Sequence, residues 1–270
     1  MSTRPKLYSE WRPAAAERGA VLVVHGFGEH IGRYGHVFDA LNARGYSCLG
    51  VDQRGFGRSE GRRACVRAFD DYLDDVAWGL SELRARSTRL PVLLGHSQGG
   101  LVAALYAIER RPELRGLVLS SPALRFLVRV PWWKRTLAQL TSIVWPTLAL
   151  PADLDAKDLT HDPDALQRMR DDQLAVRVAT ARWWTESLRA QRRALAGAPV
   201  VTTPTLLQVA GSDRIVDAAT TRAFFEQLGA ARKDWVGYPE LFHEVYQEAP
   251  DGRARALEDL CGWLDAVTSA

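Results

Sequence analysis

The sequence is poor in cysteine, in lysine and in long apolar runs. Its three cysteines, Cys48, Cys65 and Cys261, stand far apart. That excludes a disulfide framework and the paired spacing of a zinc site. It also fits a reducing cytoplasm. Lysine occurs only at Lys6, Lys134, Lys157 and Lys233, so arginine supplies most of the positive charge. Net charge is +3, with acids and bases mixed along the chain, which excludes the basic stripe of a nucleic-acid binder. No apolar run reaches the roughly 20 residues of a membrane span. Residues 1–20 lack the apolar stretch of a secretory signal. Repeats, low-complexity tracts, a metal-ligand cluster and a phosphate-binding glycine loop are missing too, so neither metal nor cofactor is expected. What remains is 270 residues, 47% hydrophobic and 25% charged. That is enough for one large domain, with or without an insertion.

Apolar runs alternate with helical spacing over most of this length. Strands are expected over 7–11, 20–24, 46–51, 92–94 and 117–120, and helices over 34–44, 69–86 and 101–110. The pattern breaks after Pro122. Residues 122–203 carry no readable strand and hold five of the nine tryptophans: Trp132, Trp133, Trp145, Trp183 and Trp184. Alternation resumes with strands over 205–209 and 234–238 and helices over 218–228 and 253–267. Strand–helix alternation predicts an α/β fold with a mostly parallel sheet covered on both faces. The expected organisation is a core of 1–121 and 204–270, interrupted by a helical insertion at 122–203.

One stretch carries chemistry. Gly95-His96-Ser97-Gln98-Gly99 lies between an expected strand and an expected helix, the context that turns a weak G-x-S-x-G pattern into a nucleophile elbow. A serine hydroxyl needs a base, and the base needs a group to fix its tautomer. The loops after the later strands supply both. Asp213 follows the strand over 205–209, and His243 follows the strand over 234–238. Asp217, four residues on, is the second choice for the acid. An oxyanion hole needs two backbone donors. Gln98 N–H is one by position, and Phe27 N–H is the choice for the other, in the loop His25-Gly26-Phe27-Gly28.

At these residues the chain resembles the α/β-hydrolase superfamily, and within it the monoacylglycerol lipase and lysophospholipase group. That group carries H-G-x-G-E-H-x-x-R-Y, which here reads His25-Gly26-Phe27-Gly28-Glu29-His30-Ile31-Gly32-Arg33-Tyr34. Its D-x-R-G-x-G-x-S block matches 52–59 and its elbow matches 95–100. Gln98 departs from the pattern, standing where the group often has Met. The resemblance implies a serine hydrolase with Ser97, Asp213 and His243 as catalytic residues and no cofactor. Its expected substrate is a single-chain lipid ester, most of all a monoacylglycerol. Lysophospholipase, broad carboxylesterase and acyl thioesterase activities remain alternatives, as does a hydrolase-fold binding protein without turnover.

His25 and His96 are expected to brace loops through ring-to-backbone bonds. His30, His36 and His161 are expected in surface or loop positions, and Asp52 to pin its own loop. Glu29, Arg33 and Glu244 are expected to pair or hydrogen-bond, although Glu29 is also a candidate for a polar head group. Two readings of the insertion stay open. It is a cap packed by its apolar side on the domain, or a lid that lines an acyl pocket and touches a membrane surface. The second rests on Leu137, Leu140, Val144 and Trp133 sharing a helical face, with Arg125, Arg129, Lys134 and Arg135 and no acid over 125–150. It makes the chain cytoplasmic but peripheral to a membrane. Nothing in the sequence bears on oligomeric state.

Overall fold

The computed structural model describes residues 5–128, 132–152 and 155–269; of residues 132–135 it describes the backbone. The core alternates as its apolar runs require. In chain order it contains β1 (Ser9–Arg12), β2 (Gly19–Val24), α1 (Gly35–Ala43), β3 (Tyr46–Val51), α2 (Asp70–Arg84), β4 (Pro91–His96), α3 (Gln98–Arg110) and β5 (Gly116–Ser120). After a long insertion come β8 (Thr205–Ala210), α7 (Ala218–Gln227), β9 (Lys233–Tyr238) and α8 (Pro250–Thr268). The seven strands form one sheet in the order β1-β3-β2-β4-β5-β8-β9. Only β1 runs antiparallel to its neighbour.

The inner strands are unbroken apolar runs because both faces of the sheet are covered. Every residue of β2, β4, β5 and β8 is buried. Side chains alternate between two cores. Leu22, Val24, Leu93 and Leu119 face α2 and α3, whereas Val21, Val23, Leu94 and Val118 face α1 and α8. The central strands end at one edge, so the loops after β2, β4, β8 and β9 gather there, as parallel α/β topology demands.

The segment between β5 and β8 holds α4 (Trp132–Val144), β6 (Ala149–Pro151), α5 (Pro163–Asp171), β7 (Val178–Thr180) and α6 (Ala181–Gly197). The expectation of no strand here needs correction. β6 and β7 form a short antiparallel pair. Three residues are too few for an alternation to be read, and the partners lie far apart in sequence. Trp183, Ala190 and Ala194 of α6 join the core on the α3 side of the sheet, so the inner face of the insertion is continuous with the domain.

The outer face of the insertion is different. Leu140, Ile143, Val144 and Trp145 are all exposed, Val144 to 84%. The side chains of Trp132, Trp133, Lys134 and Arg135, and residue Arg129, lie outside the described residues. No described helix is long and apolar enough to cross a membrane.

Candidate active site

Ser97 occupies the turn between β4 and α3 with φ 51° and ψ −116°. A non-glycine residue in that region is strained and persists only where its surroundings hold it. Here two close approaches hold the turn. A Cβ on Gly95 would lie 2.2 Å from Gly99 O, and one on Gly99 would lie 2.2 Å from Val24 O. Glycine is therefore the residue that lets the strand, the helix and β2 pass this closely. Ser97 N donates to Ser120 O at 2.9 Å, and Ser97 O accepts from Leu101 N and Ala123 N. Ser97 also heads a 13-residue helix, whose N-terminus favours negative charge.

His243, on the loop after β9, meets both partners. Its Nε2 lies 2.8 Å from Ser97 Oγ and its Nδ1 lies 2.7 Å from Asp213 Oδ2. A carboxylate only accepts, so Nδ1 carries the proton and Nε2 is free to accept from the serine hydroxyl. Asp213 Oδ1 accepts from the N–H groups of Ile215 and Val216 at 2.8 and 2.9 Å. Burial raises the Asp213 pKa, but His243 and those two donors outweigh it and hold the carboxyl below its ordinary value. Burial likewise works against charge on His243, but the Asp213 charge and hydrogen bond outweigh it and raise its pKa. The set can remove a proton from Ser97 and keep the resulting imidazolium stable.

Asp217 does not enter this arrangement. Its side chain accepts from Ala219 N and caps α7. The loop carrying Phe27 lies against the elbow: a Cβ on Gly26 would come 3.1 Å from Ser97 Cβ and 3.3 Å from His96 Cδ2. Phe27, Ser97, Gln98 and His243 line one cavity of about 610 Å³ beneath the insertion. Among the described residues no group of acids, histidines and cysteines could hold a metal ion.

The other histidines divide. His25 braces its loop as expected, with Nδ1 on Gly26 O and Nε2 accepting from Gln53 N. Among the described residues the His96 ring bonds no backbone group. Its Nδ1 meets Ser120 Oγ at 3.1 Å, because β5 brings that hydroxyl level with it. Burial pushes His96 down to about 4, so it stays neutral 5.1 Å from the His243 ring. His30 lies in a loop as expected and is buried there; its Nε2 bonds Asp172 at 3.0 Å because the insertion folds over it. His36 bonds Tyr246 O, and His161 bonds Glu248. Asp52 does more than pin its own loop: it accepts from Arg58 N and from Ile31 N, tying its loop to the one after β2.

Beside His243 sits a Glu29–Arg33–Glu244 cluster in which both carboxyl groups are buried. Arg33 Nη2 lies 2.5 Å from Glu244 Oε2, and Nη1 lies 3.5 Å from Glu29 Oε2. Glu29 Oε1 also accepts from Gly26 N and Tyr34 OH. Burial pushes Glu244 up to about 7, with Glu29 adding to the rise and Arg33 opposing it. Glu244 in turn raises the His243 pKa. The base works only when neutral, so kcat/KM should rise with pH through a pKa above that of a free imidazole. Glu244→Gln removes the charge that Glu244 carries where it is ionised, and with it that charge's support of the imidazolium. The rising limb of kcat/KM against pH should then move to lower pH. An unmoved or upward-shifted limb would contradict this arrangement.

A family profile described as serine aminopeptidase, S33 matches residues 15–250. The chain is 31% identical to phospholipase YtpA of Bacillus subtilis, over 92% of this chain and 96% of that protein. It is 28% identical to the monoacylglycerol lipase of Mycolicibacterium smegmatis, over 96% of this chain and 92% of the relative. Among solved structures, the monoacylglycerol lipase of Paleococcus ferrophilus superposes with a TM-score of 0.88 at 30% identity, covering 98% of this chain and 99% of that one.

Proposed function

The chain belongs to the serine aminopeptidase S33 family, with an α/β-hydrolase fold, and we propose that it is a carboxylic-ester hydrolase acting on single-chain lipid esters, foremost monoacylglycerols. The observation that carries this reading is the Ser97–His243–Asp213 chain of hydrogen bonds at the base of a cavity of about 610 Å³. Leu137, Leu148, Leu150 and Trp184 of the insertion line the same cavity. An acyl tail buried there gains about 0.8 kcal/mol per methylene. We read 122–203 as the cap that makes this tail site.

His243 Nε2 takes the Ser97 proton as Oγ bonds to the ester carbonyl carbon. The carbonyl electron pair moves onto oxygen, where Phe27 and Gln98 N–H groups hold it. Collapse of that tetrahedral species breaks the bond to the alkoxy group, which leaves with the proton from Nε2. Water then loses a proton to Nε2 and attacks the acyl carbon. The second collapse returns that proton to Ser97 Oγ and frees the fatty acid. Asp213 holds the imidazole ring and stabilises its charged form throughout.

Glu29 and Glu244 line the cavity, and one arginine stands between them. That balance suits a neutral alcohol as leaving group and opposes a phosphate. The similarity to a Bacillus subtilis phospholipase supports a second reading, lysophospholipid hydrolysis. A panel of monoacylglycerols, lysophospholipids, p-nitrophenyl esters and acyl-CoA separates the two. The highest kcat/KM is expected on monoacylglycerol. A higher value on lysophospholipid would support the second reading, and no hydrolysis of any member would sink both.

The exposed apolar face of α4 fits contact with a membrane surface from which the substrate is drawn. A variant with Leu140→Ser, Ile143→Ser and Val144→Ser should lose most sedimentation with lipid vesicles while keeping its rate on a short soluble ester. Unchanged sedimentation would count against that contact.

A further inference from the structure

Oxyanion donors work because they are fixed before the charge appears. Phe27 sits on a loop that His25 and Glu29 brace at Gly26. Glycine flanks it on both sides, and Gly28 has φ +80°. The Phe27 ring itself is held from outside. On one side the Phe27 ring meets Phe56 of the core, edge to face at 5.6 Å. On the other it meets Trp183 of α6, with ring centroids 4.1 Å apart and planes inclined by 39°. The next residue is tied to the insertion as well, since Val176 N donates to Gly28 O at 2.8 Å.

Trp183 also reaches the second donor. Its Nε1–H donates to the side-chain Oε1 of Gln98 at 2.8 Å. Gln98 Nε2 is buried beside Tyr72 OH without a well-formed hydrogen bond to it, so the Trp183 bond is the one well-formed bond that holds this amide among the described residues. Gln98 is the position where the chain departs from the Met common in the group it resembles, and Met has no strong acceptor for an indole N–H. Trp183 is itself held. It is 5% exposed, and its backbone N–H is capped by Thr180 Oγ1, which donates in turn to Ala64 O at 2.7 Å.

We propose that Trp183 is a positioning residue for the oxyanion hole, clamping Phe27 through its ring and Gln98 through its indole N–H. This rests on the ester-hydrolase reading, in which those two residues supply the donors. The insertion is then more than a cover over the acyl site. One side chain of α6 touches both residues whose backbone N–H groups receive the developing negative charge.

The test uses full-length Trp183→Phe, Gln98→Met, their double variant and Trp183→Ala. Each is titrated with a fluorophosphonate so that rates are per reactive site. Trp183→Phe keeps a ring against Phe27 and loses only the N–H. It and Gln98→Met should each lower kcat about tenfold, with KM within about twofold, and the double variant should fall no further because both remove one bond. Trp183→Ala loses both contacts and should fall about a hundredfold. Affinity for a tetrahedral trifluoromethyl ketone should weaken in step with kcat/KM, while affinity for the planar product fatty acid should hold.

A role in folding alone would lower the thermal midpoint and the number of titrated sites, with full kcat per site. That result overturns the proposal. So does a loss confined to KM and fatty-acid affinity, which would make the ring part of the tail pocket only. If the wild-type protein takes no fluorophosphonate at all, the hydrolase reading itself fails, and this proposal with it.

Discussion

Ser97→Ala is expected to lower kcat on a monoacylglycerol by roughly 10⁶-fold and to abolish fluorophosphonate labelling, as loss of the nucleophile does in other serine hydrolases. The size of the effect follows from what Ser97 alone contributes. No other side chain stands within hydrogen-bond reach of His243 Nε2, among the described residues, to be activated in its place. The fold should survive, because the turn is held by backbone bonds from Ser97 N and O rather than by Oγ. Alanine has no less difficulty at φ 51° than serine, so relief of strain will not stabilise the variant much. A Ser97→Ala protein with a native melting profile and more than a thousandth of wild-type kcat would refute the role of Ser97.

Asp213→Asn should lower kcat by about 10⁴-fold with little change in KM. An asparagine can present its NH₂ to His243 Nδ1, which favours the tautomer with its proton on Nε2. That proton then faces Ser97 Oγ, and the base is blocked. Asp213 also accepts from Ile215 N and Val216 N; an asparagine oxygen can keep those bonds, so the loop should stay in place. Asp217→Asn is the control. Its side chain caps α7, so it should cost about 1 kcal/mol of stability or less and leave kcat unchanged. If Asp217→Asn proves the more damaging substitution to kcat, the acid has been wrongly assigned.

How much of this could be read from the chain differs from residue to residue. The elbow was legible because its chemistry is local. Strand, glycine turn and helix follow within some twenty residues, and each has its own pattern. Asp213 and His243 were legible because parallel topology brings strand ends to one edge, which makes chain order a guide to position. Trp183 was not. Its bond to Gln98 joins residues 85 apart, and in the sequence it was one of five tryptophans in a stretch without readable order. The departure from Met at Gln98 was the available signal, because a buried amide needs a partner.

The same limit explains His30 and the Glu29–Arg33–Glu244 cluster. His30 reads as a loop residue and is one, but its burial against Asp172 comes from the insertion. The pairing of Glu29, Arg33 and Glu244 was foreseen in kind. The Glu244 pKa is set by burial, opposed by an ion pair with a residue 211 positions away, and neither shows in the local sequence. Short β6 and β7 escaped for a different reason, since three-residue strands are set by their pairing and not by their own preference.

The most direct measurement is a rapid-quench reaction of the wild-type protein with monooleoylglycerol, followed by mass analysis of the peptide that contains Ser97. An oleoyl adduct on Ser97 should form and decay at rates sufficient for turnover, with none on Ser97→Ala. Steady hydrolysis without an acyl adduct at Ser97, or an adduct on another residue, would contradict it.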